Sequence, residues 1–183
     1  MSSISRKGDW IEAWPSSTRF YPLDPRPEDV HLCDIARALS MKCRYSGQVE
    51  VFYSVAQHAL LVAEETWRRT FDKTLALQAL HHDSAEAYLP DIPRPIKPFM
   101  IGFKEIEQRV HDAIVDALGI PHGEPRPIKE IDTAILLNER DLVMPGSKQD
   151  WGFTQRLNLE PLMAWSPAMA ERNFLHAHAV FSD

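Results

Sequence analysis

The chain has 183 residues, 44% of them hydrophobic and 25% charged, which is the length and composition of one globular domain with a sizeable core. A net charge of −6 excludes a general nucleic-acid binder, which needs a basic stripe, but allows a small anionic substrate held by a few local cations. No run approaches about 20 apolar residues, the N-terminal MSSISRKGDW has no apolar signal core, and Cys33 and Cys43 form neither a CxxC motif nor a disulfide framework, so a cytoplasmic protein without a membrane partner is expected.

Taken in chain order, Trp10, Trp14, Phe20 and Tyr21 flank Pro15-Ser16-Ser17 and predict a short hairpin within residues 9–23. Residues 23–27 read as a turn. Asp29 is expected to cap a helix over about 30–41, where Leu32, Ile35, Ala36 and Leu39 recur at helical spacing. Residues 42–53 read as a loop. Ser54 caps a helix running to about 69, with Val55, His58, Ala59, Val62 and Ala63 on one face. A further helix starts near Thr74 and should continue through His82 to Pro90, because nothing before that proline breaks it. Ile106, Val110, Ile114, Ala117 and Leu118 mark the next helix, ended by Gly119 and Pro121. Ile128, Ile131, Ile135, Leu136 and Leu142 mark one over about 127–143. Residues 144–165 look irregular. Ser166-Pro167 opens a last helix with Ala170, Phe174, Ala177 and Phe181 as its stripe. The expected fold class is all-α: six helices in a compact bundle, with the N-terminal β-hairpin added.

Residues 81–97 concentrate the reactive chemistry: two imidazoles, three carboxylates, an arginine and a lysine around one helix end that feeds a loop stiffened by Pro90, Pro93 and Pro95. Three helices carry polar residues where their pattern asks for apolar ones: His58, His82-Asp83 and Asp132, the last beside Ile128 and Ile135 with Glu139 nearby. A lone buried carboxylate or imidazolium is costly. For any one of them a backbone hydrogen bond in the core is the simpler explanation, but a shared metal accounts for all four. Two neutral imidazoles and two carboxylates suit a divalent ion such as Mn²⁺, Co²⁺, Fe²⁺, Ni²⁺ or Zn²⁺, with Mg²⁺ also open. Such an ion lowers the pKa of a bound water toward neutrality and makes it a nucleophile. With free-imidazole values, metal occupancy should fall below about pH 6.

The order His58, His82-Asp83, Asp132 over three helices resembles the HD-domain metal-dependent phosphohydrolase superfamily. The pattern His82, Asp83, Glu86, followed by Asp91-Ile92-Pro93-Arg94-Pro95-Ile96-Lys97, is similar to the small bacterial 5′-deoxynucleotidases. The segments 34–40, Cys43-Arg44-Tyr45 and Tyr53-Ser54-Val55-Ala56-Gln57-His58 resemble the branch containing the phage dATP triphosphohydrolases. The resemblance covers about residues 9–142. It departs at Gln48 where a histidine is expected after the glycine, at His81 where an apolar residue is expected, and at Pro90 where a small one is.

The resemblance implies a single HD-type phosphohydrolase domain over 1–183 and a divalent metal cofactor. It further implies hydrolysis of phosphate from deoxynucleotides by a metal-bound water, the substrate being a dATP-like triphosphate or a 5′-deoxynucleoside monophosphate. It assigns Glu86 to orient that water or take its proton, and Asp91 to act as acid or second positioning group. Arg44 and Lys97, with Arg94 behind them, would bind phosphate, and Tyr45 would contact base or sugar. A homo-oligomer is also implied. The alternative is a non-catalytic HD module that binds a nucleotide as a sensor. His81 lies about 100° round a helix from His82 and reads as a neighbour rather than a ligand.

Overall fold

In the computed structural model, which describes residues 6–123 and 125–183, each stripe of recurring apolar residues folds as a helix. Strands β1 (Ile11–Glu12) and β2 (Arg19–Phe20) pair antiparallel, with Ile11 opposite Phe20 and Glu12 opposite Arg19. The helices are α1 (Leu32–Met41), α2 (Val55–Thr70), α3 (Lys73–Leu80), α4 (Phe103–Leu118), α5 (Arg126–Val143) and α6 (Pro167–Ser182). This is the all-α bundle with a short N-terminal hairpin that the sequence predicts. None of the described helices is long and apolar enough to cross a membrane.

Helix α2 stands at the centre and packs against α1, α3, α5 and α6. Its buried residues include Ala56, Ala59 and Ala63, and α3 buries Ala76 and Ala79. Small side chains let helix axes approach closely, and α2 packs more extensively on α3 than on any other helix. The Ser54 hydroxyl accepts from the Gln57 amide at 3.1 Å and fixes the start of α2, four residues before His58. The hairpin reaches this region through Phe20, fully buried, whose ring stacks on Tyr88 at 3.7 Å between centroids.

Two local expectations are corrected. Asp29 does not cap α1; it ends a 3₁₀ turn (Pro27–Asp29) and pairs with Arg6 at 2.5 Å, while His31 takes the N-cap position. The helix after Thr74 does not run to Pro90. It stops at Leu80, and a 3₁₀ turn (Ser84–Ala87) follows. The His82 side chain marks this end. Its Nδ1–H donates to the Ala79 carbonyl at 2.7 Å, the group that the next rung of the helix would need.

Residues 144–165 carry no helix or strand, as expected, but buried amides tie them down. Asn138 on α5 clasps Leu157, donating to its carbonyl and accepting from its amide at 3.1 Å each. Gln57 on α2 donates to the Met163 carbonyl at 2.7 Å and accepts from the Trp165 amide at 3.0 Å. Leu157 itself is buried in the core.

Candidate metal centre

Helix α2 delivers His58, the turn after α3 delivers His82 and Asp83, and α5 delivers Asp132, so residues far apart in the chain converge. His58 Nε2 lies 3.4 Å from His82 Nε2 and 3.2 Å from Asp132 Oδ1. Asp83 Oδ2 lies 3.3 Å from His82 Nε2 and 3.7 Å from His58 Nε2. His58, His82 and Asp132 offer ligand atoms that all fall within 4.8 Å of one another, a group able to hold a metal ion.

The donor set fits a divalent cation. Each ring commits its Nδ1 elsewhere: His82 to the Ala79 carbonyl, His58 to Glu139 Oε1 at 2.5 Å. In the neutral rings both Nε2 lone pairs therefore face the same point, an arrangement that a cation relieves. Ligands about 2.1 Å from one ion stand about 3.0 Å apart at right angles and about 3.4 Å apart at the tetrahedral angle. The observed separations, 3.2 to 3.7 Å, lie around the tetrahedral value.

Glu139 is the residue that sequence reasoning left without a role. Its carboxylate is fully buried and accepts from His58 Nδ1, from the Tyr53 hydroxyl at 3.0 Å and from the Tyr45 hydroxyl, with Arg44 Nε at 3.6 Å. Burial opposes its charge, but Arg44 and His58 outweigh that and hold its pKa down at about 2. A carboxylate behind a ligating histidine fixes the ring's tautomer and raises its basicity. The signal was available: Ile128, Asp132, Ile135 and Glu139 recur at spacings of four, three and four, one continuous face of α5.

Glu86 sits on the 3₁₀ turn rather than on a helix continued to Pro90, and it is buried. Burial, then the charges of Asp83 and Asp91, push its carboxyl up to about 8. Its Oε2 has no hydrogen-bond partner among the described residues. Lys42, read from the sequence only as part of a loop, donates to the carbonyls of Glu86 and Leu89, the latter at 2.5 Å, and so anchors the turn that carries Glu86 toward Asp91. Asp91 lies half-buried in the loop beyond.

The expected phosphate cations are engaged with carboxylates. Arg44 Nη1 is 3.4 Å from Asp83, and Arg94 donates to Asp132 Oδ2 at 3.1 Å from an exposed position. Lys97 pairs with Glu107 at 2.9 Å. Tyr45 is committed through its hydroxyl to Glu139. His81 stays out of the cluster. It is fully buried, bonded to Ser84 Oγ and to His178 Nδ1 at 2.9 Å each, and so gives His178 a partner that the sequence did not suggest.

Two curated proteins are similar to this chain. YfdR of Escherichia coli K12 is 36% identical over 125 residues, which span 68% of this chain and 67% of that protein. RCAP_rcc00048 of Rhodobacter capsulatus is 33% identical over 172 residues, 87% of this chain and 76% of that protein. The chain belongs to the YfdR family. Both relatives carry the description "uncharacterized protein", so membership shows kinship without an activity. No family model matches the chain.

The site predicts how metal and protons compete. Burial disfavours a charged His82 ring, but Asp83 and Asp132 outweigh it and raise its pKa to about 9; His58 is raised as well. A ring with a raised pKa holds its proton below that value, and a metal must displace it. Competition therefore begins well above the pH 6 that free imidazole suggests. Metal affinity at pH 7 should fall about tenfold per pH unit for each proton displaced. Titration calorimetry in buffers of different ionisation enthalpy reads the protons released. An affinity flat between pH 6.5 and 8.5 contradicts this account.

Proposed function

We propose that the chain is a metal-dependent phosphohydrolase of the HD-domain superfamily acting on deoxynucleotides, either 5′-monophosphates or dATP-like triphosphates. The observation that carries this reading is the pair of imidazole Nε2 atoms facing each other at 3.4 Å, flanked by Asp83 and Asp132, with each Nδ1 fixed from behind. In this reading Asp83 joins His58, His82 and Asp132 as the fourth ligand. When bound there, a divalent ion neutralises charge on the phosphoryl oxygens and lowers the pKa of water toward neutrality.

The chain's own residues do the rest. Glu86 accepts the proton of the attacking water. With its carboxyl pushed up to about 8, Glu86 is a strong base once ionised, its ionised fraction grows as pH rises through 7 to 8, and its free Oε2 is the accepting atom. Asp91, on the loop that Lys42 pins, serves the leaving oxygen. Arg94, held at the site edge by Asp132 yet largely exposed, exchanges that contact for a phosphate oxygen. Lys97 adds a point charge from the same loop. Arg44 stays behind Asp83 and Glu139 and balances the negative charge of the ligand set.

Glu86→Gln tests the division of labour. It should lower kcat by about 10²–10⁴-fold, the usual worth of a general base, while metal content stays at the wild-type level. Metal analysis alongside phosphate release on 5′-deoxynucleotides measures both. Undiminished turnover in Glu86→Gln contradicts the role given to Glu86.

A further inference from the structure

The connection between α5 and α6 is long, irregular and nevertheless pinned to α2 and α5, the two helices that carry His58 and Asp132. Ordered loops of this length are uncommon in compact domains unless they serve a site. Its stretch from Asp150 to Thr154 sets two aromatic rings around one glycine. Trp151 and Phe153 are half-buried, whereas Gly152 and Thr154 are exposed, so both rings turn inward. The Asp150 carboxylate accepts from the Gly152 amide at 2.8 Å and holds the bend, which takes a positive φ of 73° that suits glycine.

Phe153 is linked to the metal centre through one side chain and Trp151 through two. The Trp151 ring is 5.8 Å from that of Tyr45, whose hydroxyl bonds Glu139, the carboxylate behind His58. The Phe153 ring lies under the Arg94 guanidinium at 5.7 Å, and Arg94 bonds Asp132. Arg140 covers Trp151 at 5.8 Å. The segment thus sets two aromatic rings against two guanidinium groups, and a planar heteroaromatic ring attached to an anion can stack here by displacing or joining the arginines that cover them.

We propose that Trp151 and Phe153 form the wall that holds the base of a nucleotide whose phosphate lies at the metal centre. This rests on the deoxynucleotide reading of that centre and adds to it the part of the chain that recognises the ring. A phosphorylated sugar without a base should bind without help from this wall.

The test is equilibrium binding to metal-loaded protein in the Glu86→Gln background, which slows turnover while keeping the metal; the wall there is either wild type or carries the substitutions below. Calorimetry compares the four 5′-deoxynucleoside monophosphates with 2-deoxyribose 5-phosphate. The wild-type wall should prefer at least one nucleotide about tenfold or more, the worth of one stacked base. Trp151→Leu and Phe153→Leu, which keep apolar bulk and lose the ring, should each remove most of that preference and leave the sugar phosphate unchanged. Trp151→Phe should retain it. Equal binding of nucleotides and sugar phosphate by the wild-type wall, no binding of either, or a preference unchanged in both leucine variants overturns the proposal. Nucleotide binding through these rings without hydrolysis by the unsubstituted protein under any metal would leave the wall standing and sink the phosphohydrolase reading instead.

Discussion

Replacing Glu139 by alanine should lower the stability of the metal-free protein by about 3–5 kcal/mol, the cost of breaking a buried ionic network from one side. The carboxylate is fully enclosed, and four groups turn to it: His58 Nδ1, the hydroxyls of Tyr45 and Tyr53, and Arg44 Nε. Its loss leaves the Arg44 charge short of its main counter-ion and orphans buried donors. Glu139→Gln keeps an acceptor for His58 but loses the charge, so its cost should be smaller. The pH dependence has a definite sign. Glu139 has a folded pKa of about 2, below its ordinary 4.5, so its stabilisation is complete above about pH 4.5. It is lost as pH falls through that value toward 2. Urea denaturation of wild type across that window should show the loss, and Glu139→Ala should lack this component. The same variant should bind metal about 10–100-fold more weakly, because His58 loses the group that orients it. A Glu139→Ala protein as stable as wild type, with unchanged metal affinity, would contradict the network.

The second large effect lies at the ligands. In the metal-free protein His82→Ala removes the donation to the Ala79 carbonyl and the ring's pairing with Asp83 at 3.3 Å. Its consequence for the proposed chemistry is severe. A metal contributes several kcal/mol of transition-state stabilisation, so turnover should drop on the order of 10³-fold or more, with stoichiometric metal lost on dialysis. Asp132→Ala should behave alike and in addition free Arg94. Phosphate-release assays paired with elemental metal analysis check both. Retention of full metal content and turnover in either variant would remove that residue from the ligand set.

The candidate metal cluster was legible because its residues violate the pattern around them. His58 interrupts an apolar face of α2 and Asp132 one of α5, and a polar residue in such a stripe needs a partner. Glu139 lies near Asp132 on the same helix but receives no role from the sequence, because its meaning depends on Tyr45, Tyr53 and His58, which arrive from other parts of the fold. Local periodicity carries no record of those partners. The end of α3 was illegible for another reason. Alanine and leucine favour continuation, whereas the His82 ring offers the Ala79 carbonyl a side-chain donor where the next rung would form. Lys42 looked like an ordinary loop cation until the fold set it beneath the carbonyls of Glu86 and Leu89. Trp151 and Phe153 lie in a segment with no period at all, and only the clasps from Gln57 and Asn138 reveal that it is built into the bundle.

The central claim is tested most directly by a substrate screen. Protein loaded in turn with Mn²⁺, Co²⁺, Mg²⁺ or Zn²⁺ is incubated with each 5′-deoxynucleoside mono- and triphosphate, and products are resolved by chromatography. The account predicts metal-dependent release of inorganic phosphate from a monophosphate, or of tripolyphosphate or successive phosphates from a triphosphate, abolished by chelation and by His82→Ala. Stoichiometric metal binding with no turnover of any nucleotide would contradict it.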